Sequence, residues 1–233
     1  MCAELAAAWG GEGFGPVEPA EELRLAAGEH ELGWIAWDQA PTLNPATGLP
    51  FTVIELDLEH YIQFQLDGPR RLAERSPYAA LLTVHHHMSF YDRPRDELVR
   101  SHLARSAAYR DELRSRVDAT DEEIERNWRL IRAWDGISHE LLYDWLPTTR
   151  GVPDAEGGEV ELRLEHRDGA ITLDPWPFTA PEVTVRAQGR LLERTFTDQE
   201  RMRKALAEAP KMTLEYELAE RPMPAEAGTG RHV

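Results

Sequence analysis

Up to about residue 150, apolar residues recur at helical spacing. Beyond that point they alternate with polar ones. In CAELAAAWG, Leu5 and Trp9 predict a short amphipathic helix ending at Gly10-Gly11. Residues 12–20, EGFGPVEPA, form a Gly/Pro connection. Leu23, Ala26, Ala27 and His30 share one face of a helix over Glu21–Gly33, which Trp34, Trp37 and Asp38 extend or follow. QAPTLNPATGLPF is a loop punctuated by Pro41, Pro45, Gly48 and Pro50. Asp57–Leu66 and Pro69–Arg75 read as two short helices, parted at the proline. Ser76-Pro77 supplies an N-cap and a first-turn proline for a helix carrying Leu81, Leu82 and His85 to His87. Pro94–Val117 reads as a long polar helix. Thr120 with Glu123 matches a capping box, opening a helix to about Trp145, with Pro147 as its stop. The apolar stripe of that helix is Ile124, Trp128, Ile131, Trp134, Ile137 and Leu141.

The period then changes to two. EVELRLEH and AITLDPW flank Arg167-Asp168-Gly169 as a hairpin, and EVTVRA and RLLERTF flank Gln188-Gly189 as a second. Asp198 caps a short helix through Glu208. The last strand, MTLEYEL, places Met212, Leu214, Tyr216 and Leu218 on one face. The expected class is α+β: a mainly helical core over residues 1–150, then a small antiparallel β-sheet with one helix over 151–221, packed on the core. The tail, 222–233, is expected to be disordered.

The charge balance narrows the choice of partners. Lys and Arg number 26 against 42 Asp and Glu, a net charge of -16. Such a surface repels nucleic-acid phosphates and anionic lipid, so neither nucleic acid nor membrane is an expected partner. No apolar run reaches the roughly 20 residues that span a bilayer. The single cysteine, Cys2, excludes an internal disulfide framework and is not expected to be a nucleophile. With no basic region at the N-terminus to mark a signal peptide, these features predict a cytoplasmic protein. A helix that starts at the initiator methionine lacks an N-cap, which predicts that the native chain extends upstream of Met1.

Three polar words stand within this apolar helical text: His30-Glu31 in GEHELGWIAWD, the histidines of LLTVHHHMSFY, and Asp135 in LIRAWDGIS. Imidazole and carboxylate are the donors divalent transition metals accept, so His30, Glu31, His86 and Asp135 form a candidate metal-binding set. Each has an alternative. Glu31 is a solvated residue at a helix end, Asp135 is a buried partner of Arg132, and the histidines are surface or satisfied core residues. Three consecutive helical residues point about 100° apart, so one or two of the triplet face inward, His85 or His86 first. Trp34 and Trp37 are either core or an apolar wall that contacts a small-molecule ligand. The mixed donors suit Mn²⁺, Fe²⁺, Zn²⁺ or Ni²⁺ better than Ca²⁺, bound weakly.

HELGWIAWDQAPTLNPATGLPF, SPYAALLTVHHHMSFY, WDGIS and DPWPF resemble a bacterial family of unknown function, domain-of-unknown-function family 3891, from Leu5 to about Leu218. The family pattern reads His-Asp where this chain has His30-Glu31. It has one histidine where His86 stands, an aspartate at Asp135, and a histidine upstream of LAAAWG at a place before Met1. It is similar to a divergent HD domain. That resemblance implies one or two divalent metals and attack of a metal-activated water on a phosphoester. DPWPF reads as structural, with Trp176 and Phe178 packing on the helical core.

Three functions are consistent with these residues. One is a metal-dependent phosphohydrolase of HD type acting on a small phosphorylated molecule. Another is a non-catalytic relative that binds a small ligand. The third is a structural or interaction protein whose polar core is merely paired.

Overall fold

A computed structural model describes residues 1–91, 96–167 and 169–220. Its α+β architecture joins a helical bundle to a twisted sheet. The helices are α1 (Cys2–Ala8), α2 (Ala20–Glu29), α3 (Ile35–Gln39), α4 (Leu58–Leu72), α5 (Pro77–Met88), α6 (Glu97–Arg114), α7 (Asp121–Leu142) and α8 (Gln199–Glu208). A 3-10 turn over Leu32–Trp34 links α2 to α3, and a two-stranded ribbon, β1 (Leu43–Asn44) with β2 (Leu49–Pro50), precedes α4. The sheet holds β3 (Thr148–Pro153), β4 (Glu159–Arg167), β5 (Ala170–Asp174), β6 (Glu182–Arg190) and β7 (Lys211–Glu220) in the order β3-β4-β5-β7-β6.

Helix α5 lies at the centre of the bundle, packed against α2, α4, α6 and α7. Ser76 caps it, its hydroxyl accepting from the Ala79 N–H at 3.1 Å. Ala79 to Thr83 are fully buried, which is why this stretch is apolar all round rather than striped. Helix α7 starts with the full capping box of Thr120 and Glu123. Its stripe residues Ile131, Trp134 and Ile137 are fully buried. Arg150 of β3 ties α7 to the sheet through a 2.7 Å ion pair with buried Glu140. The guanidinium also lies against Gly136, where a Cβ would come within 2.0 Å of it. The apolar core continues from the helices into Leu162, Leu164, Leu173 and Val185 of the sheet.

Several sequence expectations need correction. The two helices parted at Pro69 are one, α4, with the proline inside it. A proline there withdraws the N–H that would bond the Gln65 carbonyl four residues back. That carbonyl instead accepts from His87 Nδ1 at 3.4 Å, a tertiary contact that a local reading does not contain. The second hairpin is also absent. Strand β6 runs straight through Gln188-Gly189 and pairs along its length with β7. RLLERTF beyond Arg190 leaves the sheet, and Phe196 N–H bonds the Gly48 carbonyl of the β1–β2 ribbon at 2.7 Å. Because the crossover from β6 through α8 returns β7 beside β5 in parallel register, the sheet is mixed rather than antiparallel throughout. Helix α7 stops at Leu142, before Pro147, with Asp144 in a positive-φ conformation (52°) that breaks the helix. The long polar helix begins at Glu97, and Pro94, Asp168 and the tail expected to be disordered lie outside the described residues.

The first hairpin, β4 with β5, is present. DPWPF packs as read: Phe178 is buried, its ring centroid 5.6 Å from that of Trp9. No described helix is long and apolar enough to cross a membrane.

One glycine positions the residues that follow His30. At Gly33 the 3-10 turn lies directly on α4, and an added Cβ would approach the Phe64 carbonyl oxygen to 2.1 Å. Backbone cannot yield as a flexible side chain can, so Gly33→Ala should lower stability by about 3 kcal/mol, the upper part of the usual overpacking range. A urea melt reads this as a reduced midpoint at unchanged slope; an unchanged midpoint would contradict the close approach.

Candidate metal centre

Three helices bring the polar words together. His30 caps the C-terminus of α2, His86 projects from the central α5, and Asp135 lies on the buried stripe of α7. All three are buried. His30 Nε2 stands 3.3 Å from Asp135 Oδ1, and His86 Nε2 stands 3.6 Å from Asp135 Oδ2. The two imidazole rings meet edge to face at 5.2 Å.

The orientation of His30 is fixed from behind. Its Nδ1–H donates to the Ala27 carbonyl at 2.9 Å, which leaves Nε2 aimed at the carboxylate. In a neutral ring that nitrogen carries a lone pair, and two acceptors would then face each other. A shared proton or a cation removes the conflict. Without a metal the proton serves. Burial pulls the His30 imidazolium down, but the hydrogen bond and charge of Asp135, with help from Glu31, outweigh it and raise the group to about 9. Burial likewise acts to raise Asp135, yet His30, His86 and His139 hold its carboxyl far below the usual range. His86 has no hydrogen-bond partner on either ring nitrogen among the described residues, and burial keeps it neutral.

The triplet divides as helical geometry requires. His85 is half-buried and stacks with Trp128 at 6.3 Å, His86 faces Asp135, and His87 serves the Gln65 carbonyl. Arg132, the alternative partner for Asp135, turns away and donates to the Ser89 carbonyl at 3.4 Å.

Glu31 lies at the margin, its side chain 47% exposed, with Oε1 3.8 Å from His30 Nε2. The crowded pocket wall pushes its carboxyl up, to about 7. His30 opposes that shift and Asp135 and Asp38 add to it, while the exposed part of the side chain lets water screen the effect.

A cleft of about 930 Å³ opens onto this group, and Asp135 and Glu31 reach its floor. Trp34 and Trp37 line it together with Phe51, Tyr61, Phe90 and Tyr143. Trp34 is the more deeply set, stacked obliquely on Phe64 at 4.6 Å.

Two residues near the centre were not among the sequence candidates. His139 faces the cleft, 42% exposed, with Nε2 3.9 Å from Asp135 Oδ1. Its signal was present in the sequence, since it follows Asp135 by one helical turn. The other is Cys2. Its Sγ, a ring nitrogen of His30 and a carboxylate oxygen of Asp135 lie within 4.8 Å of one another, a triad able to hold a metal ion.

A family model described as "Protein of unknown function (DUF3891)" matches residues 1–194. No curated protein and no solved structure matches the chain.

Proposed function

The chain belongs to the DUF3891 family, and from that premise we propose that it is an HD-like, metal-dependent hydrolase acting on a small phosphorylated molecule. His30, His86 and Asp135 would hold a divalent transition metal, with Glu31 at its cleft side. The observation that carries this reading is the pair of imidazole nitrogens facing the two oxygens of one buried carboxylate. In a tetrahedral site with bonds of about 2.0 Å, neighbouring donors stand about 3.3 Å apart. The His30–Asp135 separation is 3.3 Å and the His86–Asp135 separation 3.6 Å, so both pairs are near that spacing.

A bound divalent ion supplies Lewis acidity toward a phosphoryl oxygen. The chain supplies the rest. The Ala27 carbonyl locks the tautomer and aim of His30. Trp34, Trp37 and Tyr61 offer the apolar body of a ligand a wall that excludes water. His139, exposed in the same cleft, is placed to exchange a proton with a bound molecule.

One observation favours a second reading, a ligand-binding protein that does not hydrolyse phosphoesters. The described lining residues include Glu31, Asp38 and Asp135 but no lysine or arginine to meet a phosphate. A panel of phosphomonoesters and phosphodiesters, assayed with Mn²⁺ or Zn²⁺, separates the two. The hydrolase reading expects turnover of an ester with an aromatic or apolar body, lost in Asp135→Ala. Metal uptake without turnover of any ester would favour the second.

A further inference from the structure

We propose that Cys2 is a thiolate ligand of the metal held at His30 and Asp135, which makes the centre selective for zinc-like ions. The inference rests on the metal site proposed above and extends it to a residue no motif marks.

Helix α1 packs on α2 and α7, the helices that carry His30 and Asp135. This docking buries Cys2 at the first position of α1 and turns its sulfur toward the centre. Sγ lies within 4.8 Å of donor atoms on both His30 and Asp135. In a tetrahedral site with a metal–sulfur bond of about 2.3 Å, sulfur and nitrogen donors stand about 3.5 Å apart. A shift of roughly 1 Å, within reach of one χ1 adjustment, would close that gap. The thiol makes only the weak hydrogen bonds available to sulfur, to the Trp134 carbonyl at 3.7 Å and with the Ser138 side chain.

An independent observation also points to a ligand here. His86 is fully buried, has no hydrogen-bond partner at either ring nitrogen among the described residues, and aims Nε2 at the same carboxylate. Cys2, His30 and Asp135 offer one sulfur, one nitrogen and one oxygen close to one another, and His86 faces the second oxygen of the same carboxylate. Without a metal, burial and the charge of Asp135 push the thiol up to about 12, so it is inert as a nucleophile. Coordination reverses this. The S–H bond breaks, its proton leaves to solvent, and the sulfur lone pair forms the bond to the ion. Thiolate is a soft donor, so its participation shifts preference toward Zn²⁺ and Co²⁺ and away from Mn²⁺. Glu31 and His139, both exposed to the cleft, then remain free to face the ligand.

Cobalt reports the ligand directly. Reduced full-length protein is titrated with Co²⁺ and followed from the near ultraviolet through the visible. Expected are one equivalent bound, visible d–d bands, and a thiolate-to-cobalt charge-transfer band. Cys2→Ser should retain the d–d bands and lose the charge-transfer band. Cobalt bound by the wild-type chain with d–d bands but no charge-transfer band would overturn the role of Cys2 and leave the rest of the site standing. No cobalt bound at all would overturn the site itself. A charge-transfer band that persists in Cys2→Ser would also refute the proposal, because no other cysteine is present to supply it.

Discussion

Acidification from pH 7 to pH 5 should cost the metal-free protein several kcal/mol of stability, with the loss building up below pH 6.5 and greatest at pH 5. Burial holds His86 well below 6.5, His87 at about 3 and His102 at about 4. In the unfolded chain each titrates near 6.5. Below that pH the unfolded state takes up protons that the folded state refuses, so stability falls by about 1.4 kcal/mol per pH unit for each group. Over the 1.5 units from 6.5 to 5, three such groups amount to about 6 kcal/mol if independent, comparable to the whole stability of many domains. His30 acts at the other end. Its raised value near 9 contributes stability that is complete below 6.5 and lost as pH rises through 9. Glu31 opposes in the acid range, but its exposure limits the effect. Stability of the metal-free protein should therefore peak near pH 6.5. Urea denaturation across pH 4.5 to 9 measures this, and a plateau that continues unchanged down to pH 5 would show that the three histidines are not held neutral.

Removing the Asp135 carboxylate is the second large change. In metal-free protein, Asp135→Asn leaves the His30 imidazolium buried without its counter-charge. Breaking one side of a buried pair costs about 3–5 kcal/mol. His30 offsets part of that by releasing its proton, because the burial that acts against its charge is then unopposed. Proton NMR should place the His30 titration near 9 in the wild type and below 6.5 in the variant. A titration that stays near 9 would mean that Asp135 is not the charge that holds it.

The sequence was most legible where chemistry is local. Ser76-Pro77 and the Thr120–Glu123 box mark helix starts because the capping hydrogen bonds join residues three apart. His30, His86 and Asp135 could be singled out because each interrupts an apolar helix face, where an uncompensated polar group is costly. Long-range contacts were not legible. Pro69 stays inside α4 because His87, from another helix, meets the carbonyl it orphans. Gln188-Gly189 stays in a strand because β7 pairs across it, and RLLERTF alternates correctly but finds no neighbouring strand. Cys2 shares the buried face of α1 with Leu5 and Ala6, which marks it as core, but its place beside Asp135 follows only from how α1 docks. The aromatic wall of the cleft was visible in part, as Trp34 and Trp37. Phe51, Phe90 and Tyr143 join it from segments distant in sequence.

The central claim is that Asp135 organises a site for a divalent metal. Calorimetric titration of Zn²⁺ into purified wild type and into Asp135→Ala, both near pH 7, tests it most directly. One equivalent taken up by the wild type and none by the variant is the predicted result. Equal uptake by both proteins, or none by either, would contradict it and leave His30, His86 and Asp135 as paired residues of the core.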